Sequence, residues 1–206
     1  CEAIEQWIPL AEDHLYEAPM NWTLADQNMV LVNGDFAYEA RWPDNAGSLL
    51  YPTMSAATDV DASDRTKLID SALPDGINPV GSTAWILGGS RWIFWNRTVT
   101  GYDAATHTIT LNSPFSPNAN NAYDVKKKSP YVLMGKREFL SCQNEWYYDK
   151  DTKKLIMWSN NTPASMNVEV KKRTETVDLS GVENVTLDGL TLIGGRITSN
   201  QNTAYC

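Results

Sequence analysis

Arginine followed by tryptophan at the end of an extended run offers two kinds of chemistry, and Arg41 and Trp42 are placed that way. A guanidinium fork can clamp a uronate carboxylate through two parallel hydrogen bonds while the indole stacks on the sugar ring. The same pair can instead close one domain onto another, with Arg41 in a buried ion pair and Trp42 in the core, and this structural reading is favoured. Trp92 and Trp95 pose a similar choice. Period-two alternation puts Arg91, Ile93 and Trp95 on one face of a strand and Trp92 and Phe94 on the other. Whichever face turns away from the core presents an indole suited to a sugar ring, and the same holds for Trp146 and Tyr148 against Tyr147. Trp and Tyr join an apolar body to a hydrogen-bonding edge, so core filling is the default for all of these positions. Eight Trp and nine Tyr stand against four Phe in the chain.

Other chemistry is thinly represented. Asp59, Asp61 and Asp64 form the densest acidic cluster. Oxygen ligands at alternate positions suit Ca²⁺, but the glycine and distal glutamate of an EF-hand loop are missing, so a solvated loop is expected and neither metal nor cofactor. His14 and His107 fall in turns without a Cys or Ser motif beside them, which leaves no nucleophilic constellation. Glycoside hydrolysis needs two carboxylates about 5–5.5 Å or 6.5–9.5 Å apart. Nothing in the sequence pairs the acids, and no catalytic residue is assigned. The three cysteines, Cys1, Cys142 and Cys206, fit no zinc spacing and leave at least one thiol unpaired within the chain.

The elements that must position these residues read as short strands. Asn33 and Gly34 separate the alternating runs 28–32 and 35–42, the strongest short hairpin signal available. Runs 84–87 and 91–95 flank a glycine-rich turn, and runs 98–102 and 107–111 make a third hairpin. A fourth joins 145–148 to 155–158. Residues 44–84 are poorly patterned, with a short helix expected within 62–71, where Asp64 could cap and Leu68 and Ile69 point inward. Apolar positions at Leu133, Met134 and Leu140 predict a second short helix over 131–140. After Pro163 the pattern changes. Val168 to Val170 is followed 22 residues later by Leu190 to Leu192, with 177–179 and 185–187 between them, which predicts stacked coils of a parallel solenoid.

Composition argues against two partner classes. The apolar content of 42% contains no run approaching the roughly 20 residues that span a bilayer. A net charge of −8 provides no general field for phosphate backbones, so nucleic acid is not expected. Lys126 to Lys128, Lys153 with Lys154, and Lys171 to Arg173 are read as solvated turns or strand edges.

Three stretches taken in order carry a family resemblance. These are Ala40 to Pro43 after the Asn-Gly hairpin, Glu145 to Asp149 leading into Lys154 to Trp158, and Val168 to Arg173 before Asp178 to Gly181 and Val185 to Leu190. The chain resembles the right-handed parallel β-helix proteins of the pectin-lyase-like superfamily, in the subset where a β-rich domain is inserted between early coils. The resemblance implies an all-β fold: residues 1–26 a lead-in, 27–162 a sandwich- or barrel-like inserted domain, and 163–206 the start of the coils. It further implies a secreted or cell-surface protein acting on polysaccharide as a glycoside hydrolase or lyase, of which this chain is an N-terminal-side piece. The chain's partners would then be polysaccharide and the remainder of its own β-helix, and its role structural or substrate-positioning. The alternative is a non-catalytic scaffold or carbohydrate-binding β-helix protein.

Overall fold

A computed structural model of the chain describes residues 1–46, 51–61, 63–115 and 122–204. In chain order its strands are Glu2–Ala3 (β1), Ile8–Pro9 (β2), Leu15–Pro19 (β3), Val30–Val32 (β4), Asp35–Phe36 (β5), Arg41–Trp42 (β6), Ser55–Ala56 (β7), Asp59–Val60 (β8) and Lys67–Ile69 (β9). There follow Thr83–Gly88 (β10), Ile93–Asp103 (β11), Thr108–Leu111 (β12), Pro130–Met134 (β13), Trp146–Asp149 (β14), Lys154–Trp158 (β15), Val168–Val170 (β16), Glu175–Asp178 (β17) and Arg196–Thr198 (β18). Among the described residues the helical content is confined to short 3₁₀ turns at Ala25–Gln27, Arg137–Phe139 and Pro163–Ser165. The fold is therefore all-β. It divides into two compact units, one made of Cys1–Tyr38 with Tyr148–Cys206 and the other of Glu39–Tyr147.

In the first unit β1, β16, β4 and β5 form one antiparallel sheet. Asn33 and Gly34 turn β4 into β5 at φ of 52° and 88°, the positive dihedrals that a two-residue hairpin demands. The expected second strand of that hairpin is shorter than its alternation implies. β5 ends at Phe36, and Arg41–Trp42 pairs with β13 in the other unit's sheet. A second sheet runs β14, β15, β3, β2. The turn before β15 is closed by Asp149 Oδ1, which accepts the N–H groups of Asp151 and Thr152 at 2.9 and 3.2 Å.

β17 and β18 pair in parallel, Glu175 opposite Arg196 and Val177 opposite Ile197, with a parallel bridge from Glu183 to Ala204. Of the expected runs, 177–179 overlaps β17, and the others do not join it. Val168–Val170 lies antiparallel between β1 and β4, and neither 185–187 nor 190–192 forms a strand. Polar groups set the observed register. Arg196 Nη2 meets Glu175 Oε1 at 2.7 Å, Thr203 Oγ1 donates to the Leu179 carbonyl at 2.7 Å, and Asn200 Oδ1 accepts the Gly181 N–H at 3.1 Å.

The Glu39–Tyr147 unit is built on one sheet, ordered β6, β13, β10, β11, β12, β9, β8, with β7 also on β13. Its two end strands differ, so among the described residues the strands close no barrel. β11 is long enough to serve two ladders. Its first half pairs with β10 and its second with β12, and a register shift between Val99 and Gly101 bends it from one to the other. Ala84, Ile86, Val99, Ile109, Tyr131, Leu133 and Leu68 fill the core on one face. The chain enters and leaves this unit at one place, where Glu39 bridges Trp146 and the Ala40 N–H donates to the Trp146 carbonyl at 2.7 Å.

Neither expected helix forms. Residues 131–134 belong to β13, a central strand flanked by β10, β6 and β7. Tyr131, Val132 and Leu133 are buried on both faces, which erases the period-two signal and lets a helical spacing show through. Gly135, at φ 80°, then stops the strand. Within 62–71, of which Ala62 lies outside the described residues, Asp64 does cap a turn, accepting Thr66 N–H and Oγ1–H at 3.1 and 2.6 Å. That turn leads into strand β9 rather than a helix, with Leu68 buried.

Candidate functional site

The burial of β11 alternates along its length: Phe94, Asn96 and Thr98 are exposed, while Ile93, Trp95 and Arg97 turn inward. Phe94 accordingly stands out at 57% exposure, and Trp92, in the turn just before the strand, at 62%. Each is braced by a second ring. Trp92 meets Tyr123 edge-on with centroids 4.7 Å apart, and Phe94 lies 5.2 Å from Trp85 on the neighbouring strand. Exposed aromatics held at fixed angles form a platform rather than scattered apolar residues.

Trp95 faces the other way. Its indole N–H donates to the Tyr123 carbonyl at 3.0 Å, its ring packs on the core, and the Arg97 guanidinium sits 5.1 Å from the ring centroid. Trp146 is buried. Tyr148, in the other unit, donates its hydroxyl to the Met20 carbonyl at 3.3 Å. Of the aromatic candidates named from the sequence, only Trp92 is freely presented.

Arg41 is buried, and its guanidinium donates to the carbonyls of Pro43 (3.1 Å) and Thr53. Trp42, followed by a cis peptide to Pro43, packs on the core and tilts against Tyr131 at 6.0 Å. Together with Asp44, Ile77, Phe139 and Ser141 they line a cleft of about 470 Å³. Asp44 accepts Ser141 Oγ–H at 2.8 Å and the Cys142 thiol at 3.0 Å. Burial and that bond push the Cys142 thiol up to about 11, so it remains a thiol.

Beneath the cleft lies a group that no motif or spacing marks in the sequence. Glu145 is 2% exposed, and its Oε2 accepts the N–H groups of Ser141 and Cys142 at 3.0 and 3.2 Å, while Oε1 completes no hydrogen bond. Burial pushes its carboxyl up to about 7; the amides oppose that shift and the Asp44 charge adds to it. Glu145 does not line the cleft. The buried Glu145 is therefore not one of the carboxylates on the cleft wall, which are Asp44 and Glu138.

The remaining polar candidates are used up in turns. Asp61 Oδ1 accepts three donors from Ser63 and Asp64, and Lys67 Nζ is 3.1 Å from Asp64. The Ser63 hydrogen bonds hold the Asp61 carboxyl below its ordinary value, and the hydrogen bonds from Thr66, with Lys67 beside them, take that of Asp64 to about 2. His14 stacks on Trp158 at 4.6 Å, and His107 Nδ1 is 3.4 Å from the Tyr102 hydroxyl. Cys1 and Cys142 are free thiols; Cys206 lies outside the described residues.

No protein-family pattern and no curated protein matches the chain. A solved structure described as a glycoside hydrolase superposes on 88% of it with a TM-score of 0.62 at 17% identity. The match covers 34% of that structure's chain, so this chain spans about a third of its length. The likeness is one of fold.

Proposed function

We propose that this chain is part of a polysaccharide-active protein in which the Glu39–Tyr147 unit contacts sugar and positions it, while bond-breaking chemistry lies elsewhere. The observation that carries this reading is the exposed platform of Trp92 and Phe94, each backed by another ring. A pyranose offers a flat face of C–H groups, and rigid aromatic rings accept it at little cost in side-chain entropy. The fold likeness to a glycoside hydrolase supports the reading. In the other unit, the parallel pairing of β17 with β18 is consistent with the first coils of a parallel β-helix.

Affinity electrophoresis of the chain in gels containing a panel of soluble polysaccharides tests this. Retardation is expected with at least one polymer, and Trp92→Ala weakens it roughly ten-fold, the effect of removing a central aromatic anchor worth about 1.4 kcal/mol. Stability changes by no more than about 0.5 kcal/mol, because the ring lies on the surface. Retardation unchanged in Trp92→Ala would remove the platform from the proposal; no retardation by any polymer would favour a scaffold protein.

A further inference from the structure

The hairpin tip that carries Trp92 is pressed against the loop that carries Tyr123, and the contact is built into the backbone. The Gly89 N–H donates to the Asp124 carbonyl at 2.9 Å. A Cβ at Gly88 would fall 2.4 Å from the Tyr123 carbonyl oxygen, and one at Gly89 2.6 Å from that of Ala122. Only glycine allows this approach. Next to the two rings, the tip and the loop enclose a groove of about 290 Å³ lined by Ser90, Arg91, Lys126, Lys127 and Lys128.

All four cationic residues are exposed. Among the described residues none of them forms an ion pair, and the loop's own carboxylate, Asp124, is taken by Arg65. Four unpaired cations in one groove on a chain of net charge −8 are a local reversal of sign. Ordinary solvated lysines alternate with acids or flank a strand edge. These instead converge beside an aromatic pair.

We propose that this groove receives the negative groups of an acidic polysaccharide, with Arg91 and Lys126 to Lys128 holding carboxylates or sulfate esters while Trp92 and Tyr123 take the ring faces. The inference rests on the polysaccharide reading above and names its substrate class. Arg91 presents a planar fork that matches either anion, and the lysines act as point charges along a repeating chain of them. Nucleic acid fits poorly, since the rest of the surface repels it.

Binding of the chain to alginate (carboxylate), dextran sulfate (sulfate), neutral dextran and duplex DNA, each measured at about 50 and 200 mM salt, provides the test. Affinity for one or both acidic polysaccharides is expected to fall about ten-fold or more with the added salt. The combined Lys126→Gln, Lys127→Gln and Lys128→Gln variant lowers it by a similar factor, and Arg91→Gln lowers it further. The control Lys153→Gln with Lys171→Gln, which removes charge from the other unit, leaves it unchanged. Preference for alginate assigns the groove to uronates, and preference for dextran sulfate assigns it to sulfate esters. Equal loss in the control, or DNA binding as tight as polysaccharide binding, overturns the inference. Salt-independent binding of neutral dextran overturns it while leaving the polysaccharide reading intact, and no binding of any polysaccharide overturns both.

Discussion

Exchange of Asp70 for alanine lowers the unfolding free energy of the Glu39–Tyr147 unit by about 3–5 kcal/mol. Asp70 has no solvent exposure, and its carboxylate accepts three hydrogen bonds: from the Tyr131 hydroxyl at 2.7 Å, Ser55 Oγ at 2.6 Å and the Ala72 N–H at 2.9 Å. It thereby fastens the end of β9 to β7 and β13. Burial and the neighbouring carboxylate raise the Tyr131 phenol far above its ordinary value, so it stays a donor at any working pH. Alanine leaves the buried Tyr131 hydroxyl without an acceptor, at about 1–3 kcal/mol, and removes the partly buried bonds from Ser55 and Ala72, at about 0.5–1.5 kcal/mol each. Tyr131→Phe removes one donor and leaves the carboxylate with two, for a smaller loss of about 1.5–3 kcal/mol. Urea denaturation followed by near-ultraviolet circular dichroism measures both. A loss below about 1 kcal/mol for Asp70→Ala would show that the three bonds contribute nothing net.

Glu145 makes the same unit less stable as the pH rises toward neutrality. Its folded-state value near 7 lies above the ordinary 4.5, so between these values the folded state holds a proton that the unfolded chain has released. The stabilisation is complete below about pH 4.5 and is lost as the pH passes through about 7. At about 1.4 kcal/mol per unit the total is about 3 kcal/mol. Glu145→Gln removes the charge that burial penalises. The variant's unfolding midpoint is expected to be flat from pH 5 to 8 and to exceed the parent's at pH 8. Asp61, Asp64 and Asp103 act with the opposite sign and in a different window. Their carboxyls are depressed by turn hydrogen bonds, so what they contribute is lost only as the pH falls below about 4. A parent midpoint that rises between pH 5 and 8 would contradict the assignment to Glu145.

Much of the strand content was legible because turns advertise themselves. Asn33-Gly34 needs positive dihedrals that few other residue pairs tolerate, and the aspartates at 103 and 149 bond back to their own turns. Elements without such marks were not legible. β13 was hidden by being buried on both faces, and β9 by a capping aspartate that serves a turn as well as it serves a helix. Parallel pairing was sought in repeated Val and Leu, whereas the register of β17 on β18 is set by Glu175 with Arg196 and by Thr203. Within the site, alternation separated Trp92 and Phe94 from Trp95 but could not say which face was outer. Tyr123 and the lysines at 126–128 carried no signal, because only the fold brings that loop onto the hairpin tip. Lysines that read as a solvated turn along the chain become a groove wall across it.

The single crossing point of the Glu39–Tyr147 unit bears on the order of assembly. Glu39 and Trp146 are bridged to each other, so once this unit has folded, the chain on either side leaves from adjacent positions. To the strands outside it, the long intervening segment then behaves as a tight hairpin rather than a long open loop. Loop-closure entropy grows with the logarithm of the free length, and most of that cost has been met before β3 and β15 seek each other. Two sequence-distant halves of a sheet thus become kinetic neighbours, and the inserted unit acts as a folding clamp for its host.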